Sequence, residues 1–234
     1  REFATRIGIE VVTCIPMSAV HGDNIVVPSA RMPWYGGPTL MHYLENVAVG
    51  DDLATKPFRL PVQWVNRPDA DFRGFAGLIV SGSVRAGDGV RVLPSGRQSH
   101  VARIIGDSRD VETAVAGQSV TLTIADEVAV SRGDVLAAAA VPPAVADQFE
   151  ATIVWMHDRP MLQGRSYVMK IGTQTVSATV APLKYRVNVN TLEHVAAKKL
   201  ELNDIGVCAL ELSRPVVFEP YKENRDLGGF ILID

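Results

Sequence analysis

The sequence predicts a mainly β protein: two consecutive antiparallel β-barrels behind a shorter segment that holds one helix. Three observations carry this. Residues 58–138 fall into short apolar runs parted by glycine turns, among them "RLPVQWVN", "FAGLIVSGSV", "GVRVLP", "SHVARII", "QSVTLTI" and "GDVLAA". Val90-Arg91-Val92 and Val101-Ala102-Arg103-Ile104 alternate with the period of two that half-buried strands require. A second series, "FEATIVWM", "SYVMKIG", "QTVSATVAPLKYRVNV", "GVCALEL", "PVVF" and "GFILID", follows "AVPPAVADQ", where two prolines and small residues interrupt the rhythm.

The opening segment, residues 1–50, reads differently. Val11, Val12, Cys14 and Ile15 form an apolar run expected to be a strand, which leads into Ser18-Ala19 and then Gly22-Asp23-Asn24. "GPTLMHYLENV" is predicted as a helix, with Pro38 at its first position and Leu40, Tyr43, Leu44 and Val47 on one apolar face. Gly50-Asp51-Asp52 should end it.

Residues 56–142 are expected to form the first barrel. Strands so short and evenly spaced, with so little helix between them, favour closure, because a closed sheet exposes no edges. Ser95-Gly96 supplies a hairpin turn within "LPSGRQ". Residues 147–234 are expected to form the second barrel. "NTLEHVAAKKLELNDIG" has a helical composition, but Lys198 and Lys199 interrupt its apolar face, so it reads as irregular with at most a single turn. The rhythm stops at Asp234 in mid-strand, as if a last strand were still to come.

Composition is that of an ordinary globular protein. The net charge is −3, and residues 1–55, 56–142 and 147–234 carry three basic and six acidic, ten and nine, and ten and eleven side chains. None is a basic platform of the kind that grips nucleic acid. Cys14 and Cys208 each lie in an apolar run, far apart and without metal-ligand spacing, and are expected to be buried thiols in a reducing cytoplasm. No run approaches the ~20 apolar residues that span a bilayer, so no membrane partner is expected.

Few side chains suggest chemistry. The five histidines share no ligand spacing with a third donor, so no metal site is expected. His157-Asp158 and Glu193-His194 read as solvated loops rather than acid/base pairs. Arg132-Gly133-Asp134 spells an adhesion tripeptide but reads as a turn opening a strand. Gly74, Gly77, Gly82, Gly87 and Gly89 suit bulges and turns better than a phosphate cradle. Trp34, Tyr35, Trp64, Phe72 and Phe75 are assigned to packing rather than to base stacking. Lys170, Lys184 and Arg186, the last two alternating onto one face of a strand, are candidates for a partner surface or an ordinary solvated face. Ser18-Ala19 is, by itself, a commonplace turn.

"MPWYGGPTLMHYLE" (Met32–Glu45), "PMLQGRSYVMKIGT" (Pro160–Thr173), "LKYRVNVNTLEHVAAKKLELNDIGVCALELSRPVVFEPY" (Leu183–Tyr221) and "NRDLGGFILID" (Asn224–Asp234) together resemble the large, GTP-binding subunit family of bacterial sulfate adenylyltransferase. The likeness spans essentially the whole chain and is densest in its final third. Translation elongation factors share the looser frame, "SGSVRAGDGV" and "SRGDVL", and resemble it less in "RVNVNTLEH" and "MPWYGGPTL". A factor binding aminoacyl-tRNA is the second reading, and a free-standing β-barrel interaction module the third.

The resemblance implies barrels of the elongation-factor domain 2 and domain 3 type, preceded by the C-terminal strand and helix of an α/β GTPase domain. It makes Ser18 and Ala19 the guanine-contacting loop. It further implies a small catalytic subunit as partner, on which ATP and sulfate give adenosine 5′-phosphosulfate and pyrophosphate while the large subunit hydrolyses GTP. Some relatives carry a fused adenylylsulfate kinase. The sequence has no Gly-rich loop ending in Lys-Ser/Thr, no acidic residue in the Asp-x-x-Gly setting of a magnesium-holding switch and no Asn-Lys-x-Asp. GTP and Mg2+ are therefore expected on a part of the GTPase domain outside these residues, which alone should be inactive and contain no catalytic residue.

Overall fold

Val11–Ile15 has the composition of a strand, yet no strand is found there. The computed structural model describes residues 1–9, 11–47, 53–69, 72–107 and 109–234, and the chain divides into two units, Arg1–Asp51 and Asp52–Asp234. A strand needs a neighbour to take its N–H and C=O groups. Among the described residues of the first unit, the only β pairing is an isolated bridge between Ser18 and Asp23. Cys14, expected to be buried, is consequently exposed. Two helices complete the unit, α1 (Glu2–Arg6) and α2 (Leu40–Asn46). The second starts later than predicted. Thr39 caps it, accepting from the His42 N–H at 3.3 Å, and Pro38 stands just outside rather than at the first helical position. None of its residues is buried, and Leu44 is exposed, so the apolar stripe is not a core face within this unit. The expected break at Gly50-Asp51-Asp52 lies outside the described residues.

In the second unit the alternating runs become strands. The first ten are β1 (Arg59–Pro61), β2 (Trp64–Asn66), β3 (Gly74–Leu78), β4 (Ser83–Arg85), β5 (Gly89–Leu93), β6 (Arg97–Gly106), β7 (Arg109–Val111), β8 (Thr113–Val115), β9 (Ser119–Ile124) and β10 (Val135–Ala138). They form an antiparallel sheet in the order β1-β10-β5-β6-β9-β3-β2, with β7 on β6 and β4 paired to β8. The sheet curls until its ends meet: the Arg59 N–H donates to Ser81 O at 2.9 Å and the Val80 N–H to Arg59 O at 3.0 Å. Leu60, Phe75, Ile79, Val92, Ile104 and Leu122 fill the interior. Ser95-Gly96 makes the β5–β6 turn as predicted, Gly96 adopting φ +76°. At Gly82, φ is +77° and an added Cβ would stand 2.4 Å from the Phe58 nitrogen, so closure brings backbone against backbone there.

Eight further strands follow: β11 (Ala144–Val154), β12 (Met161–Leu162), β13 (Ser166–Ile171), β14 (Gln174–Val187), β15 (His194–Val195), β16 (Lys199–Leu200), β17 (Ile205–Phe218) and β18 (Phe230–Ile233). Their sheet runs β11-β17-β14-β13-β18, with β15 on β14, while β12 pairs with β16. Trp155, Tyr167, Met169, Val180, Cys208 and Leu210 fill its core. The irregular stretch after Asn190 contains only β15 and β16, two residues each, and no helix. A short helix that periodicity does not reveal, α3 (Arg225–Gly228), is capped by Asn224. Among the described residues no helix is long and apolar enough to cross a membrane.

The two sheets meet through Val80, Leu93, Val135 and Ala137 from one and Val217 and Leu227 from the other side. At the edge of this contact Arg59 is 2% exposed, and its Nε and Nη2 each lie 2.8 Å from Glu219 Oε1. Its Nη1 donates to Phe58 O at 2.9 Å. Glu219 Oε2 in turn accepts from Asn224 Nδ2 at 3.0 Å, and Asn224 Oδ1 accepts from the Asp226 and Leu227 amides.

Removing one member of such a pair strands a charge away from water. Glu219→Ala should therefore cost about 3–5 kcal/mol of unfolding free energy, and Arg59→Met with Glu219→Leu clearly less. Urea titration of the three proteins measures both; a loss below about 1 kcal/mol for Glu219→Ala would show the pair to be dispensable. Burial also pushes the Cys208 thiol up to about 11. At pH 8 it should resist a thiol reagent until denaturant unfolds the second sheet, as mass spectrometry of the labelled peptide would report.

Candidate functional site

The loop at Ser18–Asp23 is closed by its own backbone. The Ser18 N–H donates to Asp23 O at 3.3 Å and the Asp23 N–H to Ser18 O at 3.1 Å. Between them Ala19, Val20, His21 and Gly22 are exposed, and Gly22 takes φ +73° to complete the reversal. Among the described residues no acceptor takes the Ala19 or Val20 amide. Ser18 is half-buried. Small side chains beside outward N–H groups let the edge of a planar, acceptor-bearing ligand approach the backbone.

What holds the loop lies just after it. Asp23 Oδ1 accepts from the Ser29 hydroxyl at 2.6 Å and from Arg31 Nε at 3.2 Å, and Arg31 Nη2 reaches Asp23 Oδ2. Hydrogen bonding from Ser29, then the Arg31 guanidinium, holds the Asp23 carboxyl below its usual range despite its burial. Asn24 is 2% exposed and sits at φ +53°. The Leu40 and Met41 amides at the start of α2 donate to Asn24 O and Ile25 O, each at 2.9 Å. Neither Asp23 nor Asn24 was assigned a role from sequence. The one available signal was Gly-Asp-Asn, three residue types suited to a turn with positive φ.

The partner-surface candidates do not form one cationic patch. Lys184 Nζ is paired with Glu150 on β11, and Arg186 Nη1 lies 3.0 Å from Asp204 Oδ1. Lys170, on the exposed face of β13, has no carboxylate partner among the described residues. The β14–β17 register shifts twice between Val180 and Tyr185, around Lys184.

The remaining sequence candidates are structural. The His157 ring accepts from the Arg159 N–H at 2.9 Å within a turn. Glu193 accepts from the Thr191 hydroxyl at 2.9 Å, and His194 stacks on Tyr185 with centroids 3.6 Å apart and planes 8° from parallel. Gly133 turns at φ +100° into β10, and Asp134 accepts from the Ser131 N–H at 2.8 Å. Phe75 is core, but Trp34 and Trp64 are 73% and 63% exposed and pack as neither core nor interior. Among the described residues no three His, Cys, Asp or Glu side chains gather as metal ligands.

The Asp23 anchor has a definite pH dependence. A lowered folded-state carboxyl pKa contributes stability above the unfolded value of 3.8 and loses it as pH falls through the folded value. Ser29 and Arg31 side-chain NMR signals should stay constant from pH 7 to about 4 and move only in more acid solution; in Asp23→Asn that acid transition should vanish.

Residues 148–234 match a family described as GTP-eEF1A C-terminal domain-like. Across 99% of its length the chain is 53% identical to 37% of the bifunctional enzyme CysN/CysC of Xylella fastidiosa. Over its whole length it is 50% identical to 36% of the bifunctional enzyme NodQ of a Rhizobium species, and 46% identical to 49% of sulfate adenylyltransferase subunit 1 of Aeromonas hydrophila. It thus spans between about a third and a half of these relatives. Among solved structures, sup35 complexed with GDP superposes with a TM-score of 0.73 at 24% identity, over all of this chain and 59% of that one. That likeness concerns the fold, and it agrees with the paired elongation-factor-type barrels. Along its whole length the chain is similar to sulfate adenylyltransferase subunit 1 and to the CysN/CysC and NodQ enzymes, and residues 148–234, which hold its second sheet from Gln148 on, match the GTP-eEF1A C-terminal domain-like family.

Proposed function

We propose that this chain is part of the GTPase subunit of a cytoplasmic sulfate adenylyltransferase. The observation that carries the reading is identity of 46–53% sustained along the whole chain to enzymes so named or fused. On this reading residues 1–50 close a GTPase domain, and residues 56–142 and 147–234 are its two barrels. Ser18 and Ala19 form the guanine loop, in which the Ser18 amide is held by Asp23 O and the Ala19 amide is left for the guanine edge, whose O6 and N7 are acceptors. On the same reading GTP phosphates and Mg2+ belong to the remainder of the subunit, because the Gly-rich loop ending in Lys-Ser/Thr that would hold them is not in this sequence.

In the intact complex a sulfate oxygen attacks the α-phosphorus of ATP and pyrophosphate leaves, on a separate small subunit. The phosphosulfate product is unfavourable, which is why GTP hydrolysis is coupled to it. Coupling requires that the barrels contact the partner differently in the GTP and GDP states. Lys170, Lys184 and Arg186 are the side chains of the second barrel that we assign to that contact; an adenylylsulfate kinase, fused in some relatives, would act on the product. The translation-factor reading draws on the shared fold, the looser sequence frame and the GTP-eEF1A C-terminal domain-like match of residues 148–234, and on no relative matched along the whole chain.

The test combines the full-length subunit with its small subunit, ATP and sulfate. Adenylylsulfate formation should require the large subunit and rise severalfold on adding GTP. Formation indifferent to both, or tight binding of charged tRNA by the large subunit, would overturn the proposal.

A further inference from the structure

The residues that set the shape of the Ser18–Asp23 loop are not the two assigned to touch the base. Asn24 stands at its exit with φ +53°, in the left-handed region that Asn tolerates better than other side-chain-bearing residues. Its side chain ties the two feet of the loop together. Nδ2 donates to Pro16 O at 2.8 Å on the entry side and contacts Met32 Sδ at 3.3 Å, while Oδ1 accepts from the Ser29 N–H at 2.8 Å on the exit side. Its own carbonyl accepts from Leu40, the first residue of α2. A single amide, 2% exposed, thus joins the segment before the loop, the segment after it and the helix behind it.

We propose that Asn24 is the positioning residue of the base-contacting loop: by fixing Pro16 against Ser29 and α2 it sets where the Ala19 amide, next to Ser18, points, and so how well the site selects guanine. The inference rests on the proposed contact of that loop with the base. An amide donates well only within about 2.7–3.2 Å and near linearity, so a loop freed at one foot loses the contact without leaving the structure. Asp23 acts on the same loop from its backbone bridge to Ser18, and its carboxylate keeps Ser29 and Arg31 in place. Asn24→Ala removes both side-chain bonds and places a less tolerant residue at positive φ. Asn24→Gly removes the same bonds but accepts the backbone angle, so the pair separates loss of the tie from strain.

The experiment uses the full-length GTPase subunit. Equilibrium binding is measured for GDP and for the diphosphate of 2-aminopurine riboside, which lacks the O6 acceptor, in wild type, Asn24→Ala and Asn24→Gly. Wild type should prefer GDP. In both variants GDP affinity should fall about tenfold, equivalent to ~1.4 kcal/mol, while affinity for the 2-aminopurine nucleotide stays within twofold, so the preference narrows. An unchanged preference in Asn24→Gly overturns the inference while leaving the base-contact reading intact. Equal weakening of both ligands also overturns it, since a merely structural residue would act that way. Wild type without any preference for GDP overturns the base-contact reading, and the inference with it.

Discussion

Arg59 is a fully buried cation at the place where two sheets meet, and much of the larger unit is organised so that it need not be solvated. Its guanidinium reaches one carboxylate oxygen of Glu219 and the carbonyl of Phe58. The other oxygen of Glu219 is taken by Asn224, whose acceptor oxygen caps α3 and thereby presents Leu227 to the apolar contact between the sheets. A charge removed from water is costly unless every donor and acceptor around it is used, so this chain of bonds either forms together or fails together. It links residues 160 positions apart and makes the relative placement of the sheets depend on a polar network as well as on apolar burial.

The smaller unit follows the same logic on a local scale. Its loop owes little to burial of apolar side chains, and α2 has no buried residue. Order comes instead from Asp23 and Asn24, adjacent residues with opposite duties. Asp23 gathers a hydroxyl and a guanidinium through its charge, and Asn24 bridges two backbone segments through its neutral amide. The exposed tip can then stay free of partners while both feet are held.

Local pattern was legible wherever one face of a strand is buried. The alternation at Val90–Val92, the Ser95-Gly96 turn and the hairpin rhythm on both sides of Pro142-Pro143 follow from side-chain periodicity and the backbone freedom of glycine. The site was legible only in outline. Ser18 and Ala19 attracted attention through resemblance, whereas Asp23, Asn24, Ser29 and Arg31 did not, because their roles lie in contacts five to eight residues away that no periodicity encodes. Pattern misled where composition stands in for a partner: Val11–Ile15 looks like a strand and Cys14 like a core thiol, but pairing and burial belong to neighbours. The cations of the second sheet failed likewise. Nothing near Lys184 or Arg186 in the chain announces Glu150 and Asp204, which strand pairing brings to them.

By itself, then, the sequence determined the β class, the strand periods, the glycine turns and the kinship with the GTPase subunit family, since each is written in residues near one another or in ordered matches along the chain. Tertiary structure alone decided that Arg59 would find Glu219, that Lys184 and Arg186 would meet Glu150 and Asp204 and that Asn24 would span the feet of a loop. These depend on strand register and on chain reversals, which bring distant residues within hydrogen-bond reach, and a linear pattern carries no record of that distance.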